Sequence, residues 1–259
     1  MAGFKAMTYT PKTVLITGAT GGFGKAFAEK FASLGCKLVL HARNETKLDA
    51  IIKDLNTPVH KIIFDLSEKD KTISEITSIP SDFAEIDLLI NNAGGALGLD
   101  KAYEADLDDW EDMITMNSTS LTRITRLVLP GMVERKKGHV INIGSVAGNY
   151  AYPGGNVYGA VKAYVKHFSL GLRADLVGTN VRVTNIEPGI VETTFSLARF
   201  KGDKDKADAV YANTKPLQAQ DIAETAAWVA CMPEHCNVNS IEIMATKQSF
   251  GPLVVERCA

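Results

Sequence analysis

The sequence predicts one α/β domain of the doubly wound class, a parallel sheet of about seven strands with helices on both faces. Three observations predict it. Short apolar runs alternate with stretches of helical periodicity through almost all of the 259 residues. Those runs are apolar at consecutive positions, as strands covered on both faces require. The first of them ends in TGATGGFG, residues 17–24, a glycine-rich turn where such folds receive a phosphate.

Residues 13–17 (TVLIT) are compact and apolar and form the first strand. Residues 24–34 (GKAFAEKFASL) repeat apolar side chains at helical spacing, and Gly35 closes the segment. A strand at 37–40 leads into a helix over 44–55 with Asn44 as its cap. Strand 59–64, helix 68–79 stopped by Pro80, and strand 87–90 follow. Residues 106–137 read as helix in two pieces, with the bend expected at Pro130-Gly131. Strand 139–143, a long helix over 157–177, strand 181–186, helix 221–230 and strand 240–244 complete the series. Residues 199–207 (RFKGDKDKA) are charged and poor in apolar side chains; a mobile loop is expected there, inside a substrate segment at about 190–215. No linker or repeat divides residues 1–259, so one domain ending in a tail over 246–259 is expected.

Composition excludes several function classes. Lys plus Arg total 28 against 30 Asp plus Glu, a net charge of −2. That balance gives no electrostatic reason to expect nucleic acid or an acidic membrane. No apolar run reaches the ~18 residues of a membrane helix, and the opening MAGFKAMTYTPK lacks an apolar signal core. Cys36, Cys231, Cys236 and Cys258 form no Cys-x-x-Cys pair and read as reduced thiols. No histidine pair has metal-ligand spacing, so no catalytic metal is expected. The acids of EADLDDWED, residues 104–112, read as a helix N-terminus and its wet face. A cytoplasmic protein acting on a small molecule is the expectation.

Gly18, Gly22 and Gly24 would let the backbone close on a pyrophosphate while the next helix aims its free N–H groups at it. The spacing differs from Gly-x-Gly-x-x-Gly, so position rather than pattern carries this reading. The second strand ends in LHARNE, with Ala42 where NAD enzymes place a carboxylate for the ribose hydroxyls, and Arg43 next to it. A guanidinium there suits the 2′-phosphate of NADP. Glu45 is the competing charge.

Tyr158 and Lys162, in NVYGAVKAYV, stand four apart and so one turn apart on one helix face. Ser145 follows the strand HVINI, at the end of the sheet where α/β folds put their chemistry. A carbonyl reduced by hydride needs a proton on its oxygen, and a phenol with a pKa near 10 needs help to supply it at neutral pH. A nearby ammonium favours the phenolate, and a serine hydroxyl can hold the carbonyl oxygen. Lys162 is therefore expected to tune Tyr158, with Ser145 completing the site.

TGATGGFG at Thr17, NNAG at Asn91, Asn117, Ser145, YGAVK at Tyr158 and PGIVET at Pro188 occur in one order. In this the chain resembles the short-chain dehydrogenase/reductase family over essentially its whole length. The resemblance implies a Rossmann-type fold and further roles. Asn91, Ala93 and Gly94 would line the cofactor's adenosine side and steady the sheet, with Thr20 and Phe23 contributing from the turn. Asp65 and Leu66 would face the adenine. Asn117 would hold a water in a proton relay through Lys162, which would also bind the nicotinamide ribose. Pro188, Gly189, Ile190 and Thr193 would meet the nicotinamide end.

The second half is similar to the NADP-dependent 3-hydroxy acid dehydrogenases. They oxidise short 3-hydroxy acids, including serine and allo-threonine, at the β-carbon, and in reverse reduce semialdehydes such as malonic semialdehyde. A short acid needs a cation for its carboxylate, and Arg199 and Lys201 are available. The likeness also implies a homotetramer. Two other readings stand beside it. One is a reductase of sulfoacetaldehyde, of a broad range of ketones and aldehydes, or of a 3-oxoacyl thioester, though no clear basic cluster offers a carrier protein a docking patch. The other is a nucleotide-sensing protein, against which the intact Ser145, Asn117, Tyr158 and Lys162 set speaks.

Overall fold

The structure is a computed structural model that describes residues 9–250. Its first half alternates β1 (Thr13–Ile16), α1 (Gly22–Ser33), β2 (Lys37–Ala42), α2 (Glu45–Ile52), β3 (Val59–Ile63), α3 (Lys69–Thr77), the short α4 (Ser81–Ala84) and β4 (Leu88–Asn91). The second half holds α5 (Leu107–Ile114), a π turn (Thr115–Thr119), α6 (Ser120–Glu134), β5 (Gly138–Ile143), α7 (Asn156–Asp175) and β6 (Val181–Pro188). A small outlying pair, β7 (Val191–Glu192) and β8 (Leu217–Gln218), brackets α8 (Phe195–Arg199) and α9 (Lys204–Ala209). Helix α10 (Ala219–Ala230) and β9 (Ser240–Ile243) close the series.

The large sheet has seven strands in the order β3-β2-β1-β4-β5-β6-β9, and every pair is parallel. Consecutive apolar residues feed its two faces in turn. Val14 and Ile16 pack with Phe27 and Phe31 of α1 and Ile222 of α10. Leu15, between them, packs with Ile76 of α3 and Ile124 and Met132 of α6 on the other face. Each such fully buried side chain contributes roughly 1.5–3 kcal/mol of hydrophobic stabilisation. Strand order reverses where β1 lies between β2 and β4, and ligands of such sheets bind at that switch point.

Two expectations need correction. The long helical stretch runs on without a bend at Pro130: it widens to a π turn over Thr115–Thr119 with helical backbone on either side, and Pro130 lies inside an unbroken α6. The carbonyl that Pro130 leaves without an N–H partner belongs to exposed Arg126, where water can serve it. The charged segment 199–207 is not a structureless loop. It turns through Lys201 (φ 52°) and Gly202 (φ 94°) and enters α9, where the Asp203 side chain accepts a capping bond from the Lys206 N–H at 3.1 Å. The last residues of the tail, 251–259, lie outside the described residues.

Candidate active site

The glycine turn is built by β1 running into α1. Gly18 sits at φ +65°, a region L side chains rarely adopt. Its carbonyl accepts from the Gly21 N–H at 3.1 Å and from Asn92 Nδ2 at 3.1 Å. The Thr17 hydroxyl accepts the N–H groups of Asn92 and Ala93 at 3.0 and 2.9 Å, tying the turn to the segment after β4. Helix α1 is preceded by Gly21, which offers no side-chain cap, so its first N–H groups stay available to an anion.

This turn forms one end of a cavity of about 1640 Å³, above the ~300–1,000 Å³ of ordinary small-molecule sites. The space suits a dinucleotide together with a substrate. Nearly all the residues predicted for the cofactor border it, from Gly18 to Thr193. Gly24, Asn91 and Asn117 do not. Gly24 backs the turn from behind, where a Cβ would lie 2.7 Å from the Ala19 Cα. Asn91 is 3% exposed and donates to Thr125 Oγ1 and Asn142 Oδ1, both at 2.8 Å. It knits β4 to α6 and β5 and turns no atom to the cavity, so only its sheet-steadying part is seen. Asn117 spends its side chain on the Gly95 and Met113 carbonyls (2.9 and 2.8 Å) and on the Gly95 N–H (3.2 Å). A water would have to be held by its main chain.

At the end of β2, Arg43 is 75% exposed and pairs loosely with Asp65, 3.6 Å away. The competing carboxylate is accounted for. Lys61 on β3 takes both Glu45 and Asp49. Sequence reasoning missed Lys61 because the pairing crosses from β3 to α2. His41 and Lys47, which border this end of the cavity, were missed as well.

At the other end, β5 delivers Ser145 and α7 delivers Tyr158 and Lys162. Tyr158 is 9% exposed and Lys162 7%. Ser145 Oγ accepts from the Ala147 N–H at 3.1 Å, which fixes the hydroxyl's place. Lys162 Nζ donates to the Ile143 carbonyl at 2.9 Å and lies 5.8 Å from the centre of the Tyr158 ring. Burial pushes Lys162 down to about 8 and Tyr158 up to about 12; the Ser145 hydroxyl and the Arg199 charge pull Tyr158 back, while Tyr152 adds to the rise. In the protein alone burial is the largest influence on both groups, and neither side chain is among the influences on the other.

Arg199 faces Tyr158. Its guanidinium carbon lies 5.7 Å from the ring centres of both Tyr158 and Tyr152. Nε donates to the Gly98 carbonyl at 2.9 Å and Nη2 to the Tyr152 hydroxyl at 3.2 Å, while Nη1 has no hydrogen bond among the described residues. Lys201 does not join it. It reaches α5, where Asp109 is 2.9 Å away and Asp106 3.7 Å. From the far end of the chain, Gln248 accepts the Ile190 N–H at 2.7 Å and Phe250 packs against Tyr150 with ring centres 4.6 Å apart and the rings tilted by 41°. Among the described residues no cluster of three His, Cys, Asp or Glu could hold a metal, and no helix is long and apolar enough to cross a membrane.

A parallel sheet with a glycine turn at its switch point, a serine after β5, and a tyrosine and lysine on the following helix defines a class, and residues 12–204 match it: the chain belongs to the short chain dehydrogenase family. The chain is 49% identical over 245 residues to the NADP-dependent 3-hydroxy acid dehydrogenase YdfG of Salmonella typhi, covering 94% of this chain and 99% of that protein. It is 46% identical over 245 residues to the serine 3-dehydrogenase of Rhizobium radiobacter, covering 95% and 98%. The fold superposes on a serine dehydrogenase in its closed form complexed with NADP+, with a TM-score of 0.93 and 46% identity over 95% of this chain and 99% of that one.

Proposed function

We propose that the protein is an NADP-dependent dehydrogenase of short 3-hydroxy acids and β-hydroxy amino acids, acting at the β-carbon. Serine, L-allo-threonine and 3-hydroxypropionate are the substrates in view, the last giving malonic semialdehyde. The observation that carries this reading is one wall of the cavity, where Ser145 and Tyr158 stand beside a guanidinium with an unspent nitrogen, Arg199 Nη1. An alcohol group at Tyr158 and a carboxylate at Arg199 fit a short hydroxy acid.

NADP, when bound, supplies or accepts the hydride. The residues do the rest. The glycine turn and the open start of α1 take the pyrophosphate. Arg43, freed of Glu45 by Lys61, takes the 2′-phosphate, with Asp65 and Leu66 beside the adenine. Thr193 and the Pro188, Gly189 and Ile190 segment, braced by Gln248, hold the nicotinamide end. Ser145 donates to the substrate oxygen. Tyr158 removes the hydroxyl proton in oxidation and returns it in reduction. Lys162, fixed on the Ile143 carbonyl, holds the ribose and passes the proton on to a water at the Asn117 main chain. A homotetramer in the cytoplasm completes the proposal, supported by the exposed Tyr164 and Leu170 on α7 and by free Cys36, Cys231 and Cys236.

Nicotinamide absorbance tests it. NADP+ should be reduced by serine, L-allo-threonine or 3-hydroxypropionate, and NAD+ much more slowly. Tyr158→Phe should lose about 10²–10⁴ in turnover and keep its affinity for NADP+. Silence on these acids, with NADPH oxidised by sulfoacetaldehyde or a 3-oxoacyl thioester, would keep the Tyr158 chemistry and discard the substrate.

A further inference from the structure

His41 lies on β2, 2% exposed, where the strand end meets the glycine turn. Nothing in the proposed reaction uses it. Its two ring nitrogens are both engaged. Nδ1 is 3.3 Å from the Gly18 backbone nitrogen and Nε2 is 3.0 Å from the Phe64 carbonyl oxygen. A backbone N–H can only donate, so Nδ1 must accept and the single ring proton must sit on Nε2, given to Phe64. The imidazole also packs edge-on against the Phe64 ring, with centres 4.7 Å apart. The backbone of the same residue accepts the Ala19 N–H at 2.8 Å. One residue thus anchors both the first N–H of the glycine turn and the strand end that leads to Asp65 and Leu66 at the adenine side. Burial favours the neutral ring, down to about 4, as a base that must accept at Nδ1 requires.

We infer that His41 is a positioning residue for the cofactor: through its Nδ1 acceptor it holds Gly18, and with it the pyrophosphate-binding turn, in the binding shape before NADP arrives. The inference rests on the reading that this turn receives NADP. Without the acceptor, Gly18 loses its N–H partner, the turn relaxes, and the cofactor must reorder it on binding.

Two variants separate the two ring nitrogens. His41→Asn places an amide oxygen where Nδ1 stood and keeps only the Gly18 bond. His41→Gln reaches Phe64 and keeps only that bond. His41→Phe keeps the packing on Phe64 and makes neither. Calorimetric titration of the whole chain with NADP+, alongside the urea unfolding midpoint, reads both affinity and stability. The expected result is NADP+ binding about tenfold weaker in His41→Phe and His41→Gln, and within about twofold of the parent in His41→Asn. A purely structural role would lower the unfolding midpoint of Asn and Gln variants alike and leave their affinities equal. Parent-like affinity in His41→Phe, or no rescue by Asn over Gln, overturns the inference. Should His41→Phe not fold, equal affinity of the Asn and Gln variants overturns it alone. Failure of the unaltered protein to bind NADP+ removes the cofactor reading itself, and the positioning role with it.

Discussion

Gly24→Ala reverses a familiar sign. Inside a helix, replacing glycine by alanine ordinarily stabilises by about 0.5–1 kcal/mol, because the unfolded chain loses freedom. Gly24 lies in the first turn of α1, and a Cβ there would overlap the Gly18 carbonyl oxygen and sit 2.7 Å from the Ala19 Cα and 2.9 Å from the Ala19 carbonyl carbon. Comfortable carbon contacts begin near ~3.5 Å, so the turn must move off α1 by close to ~1 Å. All three atoms are backbone, and Gly18 is held in place by Asn92 and His41. Overpacking of this kind costs about 1–3 kcal/mol, and the rigid surroundings put this site at the upper end. Set against the propensity gain, the net loss is about 2 kcal/mol, or roughly 4–8 °C in Tm for a chain of this size. Gly171, exposed on α7 with nothing within 4 Å of a Cβ, is the control, and Gly171→Ala should gain about 0.5–1 kcal/mol. Urea and thermal unfolding of both variants, with NADP+ titration of the first, is the assay. Gly24→Ala should be less stable and bind NADP+ more weakly. A Gly24→Ala protein as stable as the parent would refute the claim that α1 closes directly on the turn.

Three further outcomes are expected. Arg199→Ala should raise KM for 3-hydroxy acids about 10–100-fold while changing KM for their methyl esters far less, read by steady-state kinetics. Lys61→Ala frees Glu45 beside Arg43; NADP+ affinity should fall by about two- to threefold at low salt, with NAD+ unaffected and the difference gone near 0.5 M salt. Stability should decline as pH falls from about 6.5 towards 4. Burial pushes His41 down to about 4 and lowers His139 as well, so the unfolded chain takes up protons the folded one refuses. At 1.36 kcal/mol per pKa unit His41 alone accounts for about 3 kcal/mol across that window. Urea midpoints should therefore drop across it in the parent and drop less in His41→Phe; identical slopes would remove His41 from the account.

What the sequence made legible were features written in consecutive residues. Apolar runs buried on both faces gave the strands, and Asn44 announced α2, whose Lys47 N–H its side chain accepts at 2.8 Å. The glycine turn, Ser145, Tyr158 and Lys162 were visible for the same reason. Features that depend on distant residues meeting were not visible. Arg199 was named as a free cation, but its hold on Gly98 and Tyr152 joins segments about a hundred and about fifty residues apart. Lys201 carries the same charge two residues on, and a left-handed backbone turn sends it to Asp109 instead. The π turn inside the long helix had no proline or glycine to mark it; Pro130, the obvious breaker, sits where water tolerates it. Asp203, four residues into a stretch that looked structureless, was an overlooked cap signal.

The electrostatics of Tyr158 and Lys162 set a direction for the chemistry. Spacing of four puts both on one helix face, but Nζ is committed to the Ile143 carbonyl and both groups are buried. Burial moves each towards its neutral form, with Tyr158 at about 12 and Lys162 at about 8. The charge that favours the phenolate is Arg199, the same group proposed to take the substrate carboxylate. An acid substrate seated there cancels part of that charge and leaves Tyr158 a protonated donor, the state that reduction of a semialdehyde needs. Oxidation needs the phenolate, whose share grows tenfold per pH unit below its pKa. The oxidative kcat/KM for a 3-hydroxy acid is therefore expected to climb through pH 9, while the reductive one stays level or falls. Arg199→Ala should lower the oxidative rate at every pH in this range, because removing the cation raises the phenol further. A level oxidative profile between pH 7 and 9 would mean that the bound cofactor, and not these side chains, sets the proton affinity of Tyr158.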